Sequence, residues 1–288
     1  MSSISQRSVL YAQNFLKDPC LVDYLLGRCG IGADDIVYEI GPGKGIITEQ
    51  LACRCKQVVA IEKDPRLAKV LRHRFAGDAN VTLHEGDFLK FRLPTFPYKV
   101  FASIPFNITT AIVSKLTTAA SAPDDAYLVM QREAAGKFLG KPEESLYAVL
   151  MKPWFEPEVV HNFRRGDFVP APRVDVVMLR LRKRGPPLIK RSDIQLYRDF
   201  VVYGFTTWQP CLRSIFKDIF TSKQLRQAGK QMGFDLNATP TSIRFEHWLQ
   251  LFDYFKSRGD VQAVSGSERR LRQRQGLLKK VHRTRIGR

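Results

Sequence analysis

Glu39, Gly41, Gly43 and Gly45 stand in the pattern E-x-G-x-G-x-G, directly after an apolar run and ahead of a helical pattern. Glycines at such a turn let the backbone fold tightly and let a ligand approach it with no Cβ in the way. The dinucleotide fingerprint G-x-G-x-x-G would need glycine where Ile46 stands. A Walker A loop is excluded, because Lys44 is followed by Gly45 rather than by Ser or Thr. Two further acids come at strand ends: Glu62, 21 residues after Gly41, and Asp87. A carboxylate at the first place can accept both hydroxyls of a ribose, and one at the second can accept from an adenine amino group. Each acid taken singly reads as a solvated strand end. Three of them on the carboxyl edge of one sheet, where such folds bind ligands, favour a cationic ligand over a pyrophosphate. S-adenosylmethionine, with a sulfonium and no phosphate, fits that description better than NAD.

A second stretch, "FASIPFNITT" at residues 101–110, ends an apolar run with Ser103, Ile104, Pro105 and Phe106. Beside a methyl donor these residues suit a planar amine. The Ser103 side chain and the Ile104 carbonyl can each accept an N–H, Pro105 stiffens the loop, and Phe106 offers a face for a base. The nitrogen lone pair is then left pointing at the methyl group, and orientation replaces a strong general base. A base in a helix has to leave its stack to reach such a site. By itself the stretch fits a strand-to-loop turn with a buried Phe equally well.

These residues need a scaffold that brings strand ends together. "DDIVYEIGPGKGIITEQLA" reads as strand, turn and helix, and "QVVAIEKD" as a second strand. "DPRLAKVLRHRF" reads as a helix with Asp64 as N-cap and Pro65 in its first turn. "NVTLHEGDFLKF" and "YKVFASIPF" follow as strands, "TTAIVSKLTTA" as a helix, and "AYLVMQREAAGKFLG" as a strand running into a helix. This alternation predicts a mostly parallel sheet wrapped by helices. "FEPEVVHNF" and "RVDVVMLRLRK" read as two strands of a hairpin-like edge. Residues 183–193 are turn-rich and charged, a linker; residues 194–260 read as a small helical domain; residues 261–288 read as a disordered basic tail.

The 288 residues carry 46 Lys and Arg against 28 Asp and Glu, a net charge of +18. A surface so basic is drawn to polyanions, and nucleic acid is the favoured partner. Five cysteines form an odd set, and Cys53 and Cys55 are too close for a zinc knuckle, so free thiols and no metal are expected. No signal peptide and no apolar run near the ~20 residues of a membrane helix is seen, which predicts a cytoplasmic protein away from membranes.

The motifs "YAQNFL", "EIGPGKG", "IEKD", "GDFLKF", "SIPFNITT" and "FVPAPRVDVVMLRL" resemble, in this order, those of the rRNA adenine N6-dimethyltransferases, Erm-type and KsgA-type. The resemblance covers about residues 8–255. It implies an α/β fold: a seven-stranded, Rossmann-like class I methyltransferase domain over residues 1–182, followed by an all-helical domain that helps bind rRNA. It further implies a monomer using S-adenosylmethionine. Gln13, Asn14 and Leu16 would border the methionine part, Gly41 would lie beneath it, Glu62 on the ribose and Asp87 on the adenine. Ser103 and Phe106 would hold the target base. The family usually has Asn where Ser103 stands, which implies a weaker grip on the amine and favours one methyl over two.

The "GKG" turn, "RFEHWLQLF" and the basic tail are closer to Erm-type members. That similarity implies an adenine of 23S rRNA in the macrolide-binding region as substrate, and resistance to macrolides, lincosamides and streptogramin B. A KsgA-type 16S rRNA enzyme is the alternative, and a non-catalytic nucleic-acid-binding factor on the same fold is another. Arg132, Lys137, Arg164, Arg165, Arg173 and the cluster at 180–184 are candidates for an RNA face.

Overall fold

A computed structural model of the chain describes residues 14–105 and 107–286, with side chains up to residue 276. Two compact units divide the chain: Met1–Gly136 with Phe155–Gly185, and Lys137–Trp154 with Pro186–Arg288.

The first unit holds a seven-stranded sheet. Its strands are β2 (Ile36–Ile40), β3 (Gln57–Glu62), β4 (Val81–Glu85), β5 (Lys99–Ser103), β6 (Asp125–Gln131), β7 (Phe155–Asn162) and β9 (Val176–Lys183). The spatial order is β4-β3-β2-β5-β6-β9-β7. The first five run parallel; β9 is antiparallel to both β6 and β7. The expected hairpin-like pair is therefore present, with β7 at the edge and β9 inserted beside β6. A short β1 (Phe15–Leu16) pairs with β8 (Phe168–Val169) in a separate two-stranded ribbon. This is the Rossmann-like sheet anticipated from the alternating pattern. The order reverses between β2 and β5, whose carboxyl ends flank the crevice where open α/β sheets bind ligands.

The helices of this unit follow their caps. Asp18 accepts the Cys20 N–H at 2.9 Å at the start of α1 (Pro19–Gly27). Gly45, at φ +83°, turns the chain into α2 (Ile46–Ala52). Asp64 accepts the Arg66 N–H at 2.9 Å and caps α3 (Pro65–Arg74), with Pro65 in the first turn as the sequence predicts. Helix α4 (Thr109–Thr118) completes the set, and the division of the chain falls within α5 (Arg132–Leu139). Buried Leu25, Leu26, Leu51, Val58, Phe101 and Met178 belong to one continuous core cluster.

The second unit is helical: α6 (Leu146–Met151), α7 (Ile194–Thr206), α8 (Leu212–Ile215), α9 (Ser222–Met232), α10 (Phe245–Arg258), α11 (Val261–Val264) and α12 (Ser267–Ile286). Its core is aromatic, with Phe200 stacked on Phe255 at 4.7 Å and on Phe216 at 5.3 Å, beside a fully buried Trp248. Helix α8 stops at Ile215, and the chain continues as bends and turns to Phe220.

Two boundaries differ from those read in the sequence. Residues 137–154, placed with the first domain by chain order, join the helical unit. There the Tyr197 hydroxyl donates to the Val149 carbonyl at 2.7 Å, and the Glu144 N–H to the Thr241 carbonyl at 2.9 Å. The basic tail was expected to be disordered, yet 267–286 is helical and its first turn is anchored. Buried Glu268 accepts from Arg198 Nε and Arg272 Nη2, both at 2.8 Å, and its N–H donates to Asp199 at 2.8 Å. Arg198 and Asp199 lie some 70 positions upstream, so local charge density gave no sign of them.

Candidate functional site

At the carboxyl ends of β2 and β5 an open cleft is lined by Asn14, Leu16, Gly41, Ser103, Ile104 and Pro105, with Phe15, Lys44, Val129 and Phe168 among its other walls. Six of the residues singled out in the sequence thus share one cavity. Gln13 and Phe106 lie outside the described residues.

Local geometry explains the glycines. Gly41, Gly43 and Gly45 all have positive φ, at +72°, +61° and +83°. A Cβ on Gly41 would stand 3.6 Å from the Ser103 carbonyl oxygen, in the space between the two strand ends. A Cβ on Gly43 would meet the Phe15 ring at 2.4 Å. The backbone therefore forms that part of the cavity wall, and one aromatic ring lies against the turn. The Lys44 ammonium sits 5.7 Å from the centre of the same ring.

At the end of β5, the Ile104 N–H donates to the Val129 carbonyl at 3.0 Å, and Ser103 faces Val129 in register. The chain then turns: the Ile108 N–H reaches back to the Pro105 carbonyl at 3.1 Å. The Ile104 side chain is buried, so only its backbone and Ser103 offer polar groups at this corner.

The three acids take different places. Glu39 and Glu62 are fully buried, Asp87 is partly exposed, and none is among the cavity's lining residues. Glu39 Oε2 accepts from the Thr48 hydroxyl of α2 at 2.6 Å, and Oε1 has no partner among the described residues. Burial pushes its carboxyl up to about 8, so near neutrality it is largely protonated. Glu39 therefore ties β2 to α2 and adds little negative charge. Glu62 accepts the Gly43 N–H at 3.1 Å and the Asp64 N–H at 2.8 Å, so it holds the glycine turn from behind; burial raises its carboxyl as well. Asp87 stands two residues beyond β4. It accepts from Lys63 at 2.9 Å and from the Leu89 N–H at 2.9 Å, and the Lys63 hydrogen bond holds its carboxyl below the usual range.

Several residues of this region escaped the sequence reading. Phe15 was inside a recognised motif, but nothing local said that its ring covers Gly43. Lys63 sits beside Glu62 in "IEKD", and its role as Asp87's partner needs β3 and β4 side by side. Lys115 donates to the carbonyls of Phe88 at 2.6 Å and Leu89 at 3.1 Å, fixing the loop after Asp87 from a helix 26 positions away.

The cluster at 180–184 is not a free cationic face. Arg180 pairs with Asp125 at 2.6 Å and Glu158 at 3.2 Å, Arg182 and Arg184 with Glu156, and Lys183 with Asp124 at 3.0 Å. Arg132 donates to Asn162 at 2.8 Å, and Arg165 lies 3.8 Å from Asp175. Among the described residues no group of three His, Cys, Asp or Glu side chains could hold a metal ion. No helix of the described residues is long and apolar enough to cross a membrane.

Residues 4–257 match the family model described as ribosomal RNA adenine dimethylase. An rRNA adenine N-6-methyltransferase of Saccharopolyspora erythraea is 33% identical over 244 residues, covering 84% of this chain and 64% of that relative. The ribosomal RNA small subunit methyltransferase A of Geobacter sulfurreducens is 34% identical over 216 residues, 70% of this chain and 78% of the relative. Among solved structures, the 23S rRNA methyltransferase ErmE superposes with a TM-score of 0.77 at 33% identity, over 84% of this chain and all of that one.

Proposed function

The chain belongs to the ribosomal RNA adenine dimethylase family, and from that premise we propose that it transfers methyl groups from S-adenosylmethionine to the exocyclic N6 of an adenine in 23S rRNA. The observation that supports this reading is the cavity at the β2–β5 strand ends, which joins the Gly41 backbone to the Ser103–Pro105 corner.

The residues present fit an adenosyl donor. Gly41 leaves open a space that a Cβ would enter. Each Glu62 oxygen accepts one backbone N–H, which leaves a second lone pair on each for a ribose hydroxyl. Asp87 has the same surplus for an adenine amino group, and Asn14 and Leu16 border the cleft that Gly41 and Ser103 line. When bound, the donor supplies an electrophilic methyl on a sulfonium.

The protein's contribution is orientation. Ser103 Oγ and the Ile104 carbonyl take the N–H bonds of the target amine, which turns its lone pair toward the cavity. Pro105 limits the loop's freedom, and Phe106 is assigned the stacking face. Lys44 is the one titratable side chain among the described residues lining the cavity, so no strong base acts there.

Methylation of total rRNA with labelled donor, followed by primer-extension mapping, tests the reading. Label confined to one 23S adenine is expected; an unlabelled rRNA pool would overturn it. Expression in a macrolide-sensitive host should raise resistance to macrolides, lincosamides and streptogramin B. The 34% identity to a small-subunit methyltransferase favours 16S rRNA as the second reading, and the same mapping decides between them.

A further inference from the structure

We propose that the helical unit carries its own RNA-binding cleft, built by Arg213, Lys217 and Arg226, and that Trp208, five positions before Arg213 in the chain, stacks an unpaired base of the same RNA segment. This rests on the rRNA reading above and adds where in the helical unit the strand is held.

An open cleft of about 410 Å³ is lined by these three cations together with Thr221, Ser222 and Leu225. None of the three makes a side-chain hydrogen bond or ion pair among the described residues. That separates them from the cluster at 180–184, whose charges are met by acids on neighbouring strands. All three are exposed, so their charge acts on solvent and on what arrives from it. Asp218 and Asp235 are the acids nearest in the chain, and Asp235 is engaged with the Asn237 N–H at 2.9 Å. Three unmatched cations around one concavity focus a positive potential and attract phosphates.

The base of the cleft adds to it. Thr221 and Gln224 close a capping box at the start of α9, and Ser222, the first residue of that helix, lines the cleft. The positive end of the helix dipole thus lies at the same place as the cations.

Trp208 is 93% exposed, in the loop between α7 and α8, five positions before Arg213. An exposed indole offers a flat face on which a base can stack, and the cations that follow it in the chain supply the phosphate contacts such a base brings with it. Single-stranded nucleic acid is held by this combination, a cationic groove for phosphates and an aromatic face for bases. A duplex keeps its bases stacked and cannot use the indole. The class of ligand is therefore an unpaired RNA segment.

The test uses the full chain and an rRNA transcript containing the methylated adenine, with binding followed over a salt titration. The triple variant Arg213→Ala, Lys217→Ala, Arg226→Ala should reduce the log–log salt slope by about 2, since each lost single-strand phosphate contact removes about 0.7. Trp208→Ala should weaken single-stranded RNA binding about tenfold or more and leave duplex binding unchanged, and Trp208→Phe should restore most of the loss. Methyl transfer at saturating RNA should be kept in all variants, with KM raised. An unchanged slope in the triple variant, in a protein that still methylates rRNA, overturns the cleft and leaves the proposed function standing. Equal loss on duplex and single strand overturns the stacking role. Calorimetry with S-adenosylmethionine alone reads the catalytic site separately: loss of donor binding in the wild-type chain would defeat the proposed function, whatever the cleft does.

Discussion

The Gly43 N–H donates to the Glu62 carboxylate at 3.1 Å, so the glycine turn after β2 is held by the acid at the end of β3. Two motifs 19 positions apart in the chain thereby become one piece of geometry. The acid that the sequence assigns to a ligand also shapes the loop on which that ligand would rest.

Glu62→Gln tests this double role. The amide keeps one acceptor and loses the other, so either the Gly43 or the Asp64 N–H is left unpaired in a buried place. A loss of about 1–3 kcal/mol in unfolding free energy is expected from denaturant titration. Calorimetry should show S-adenosylmethionine binding weakened at least tenfold. Full stability together with full affinity would refute the assignment.

Ser103 is the second test. Ser103→Ala removes one of two acceptors for the target amine and should lower the methylation rate without altering donor affinity. Ser103→Asn extends an acceptor further into the cavity and should shift product from monomethyl- to dimethyladenine. Mass spectrometry of digested rRNA separates the two. Complete dimethylation by the wild-type chain would count against the weaker grip.

Glu39 makes a pH prediction. Its folded-state pKa, about 8, lies above the ordinary carboxylate value, so the folded state binds the proton more tightly than the unfolded chain. Its contribution to stability is full below the unfolded value of 4.5 and declines as pH rises from there to about 8. Glu39→Gln has no such titration. The variant's stability relative to wild type should therefore increase between pH 5 and pH 8, read from urea midpoints at each pH. A difference that does not change with pH would show that Glu39 is ionised in the fold.

Glu268 behaves in the opposite sense. Arg198 and Arg272 hold its carboxyl down to about 2 against its burial, so its stabilisation is present above the ordinary value and lost as pH falls toward 2. Glu268→Ala leaves Arg198 with a vacated partner in a half-closed site. A loss of about 3–5 kcal/mol is expected for breaking a buried pair from one side. Hydrogen exchange should quicken in α12 first. Unchanged protection of α12 would mean that it is held by other contacts.

The elements that were legible share one property: their signals are local. Asp64 and Pro65 announce the start of α3 because capping and proline restriction act within one turn. The strand–glycine–helix unit at 36–52 is likewise written in neighbouring residues, and its three glycines make the tight turn expected of them, each at positive φ. The two faults came from contacts between distant segments. Residues 137–154 belong to the helical unit through Tyr197 and Thr241, and the tail gains its anchor from Arg198 and Asp199.

The sequence by itself determined the parallel α/β sheet, the glycine turn and the serine–proline corner that ends β5, because backbone preference and side-chain periodicity are set by near neighbours. Only the tertiary structure decided what each charge does. Glu39 is sealed against Thr48, the cations at 180–184 are spent on Asp124, Asp125, Glu156 and Glu158, and Arg213, Lys217 and Arg226 are left unmatched around one cleft. The work a charge can do depends on its desolvation and on the nearest opposite charge, and both are properties of residues that only folding brings together.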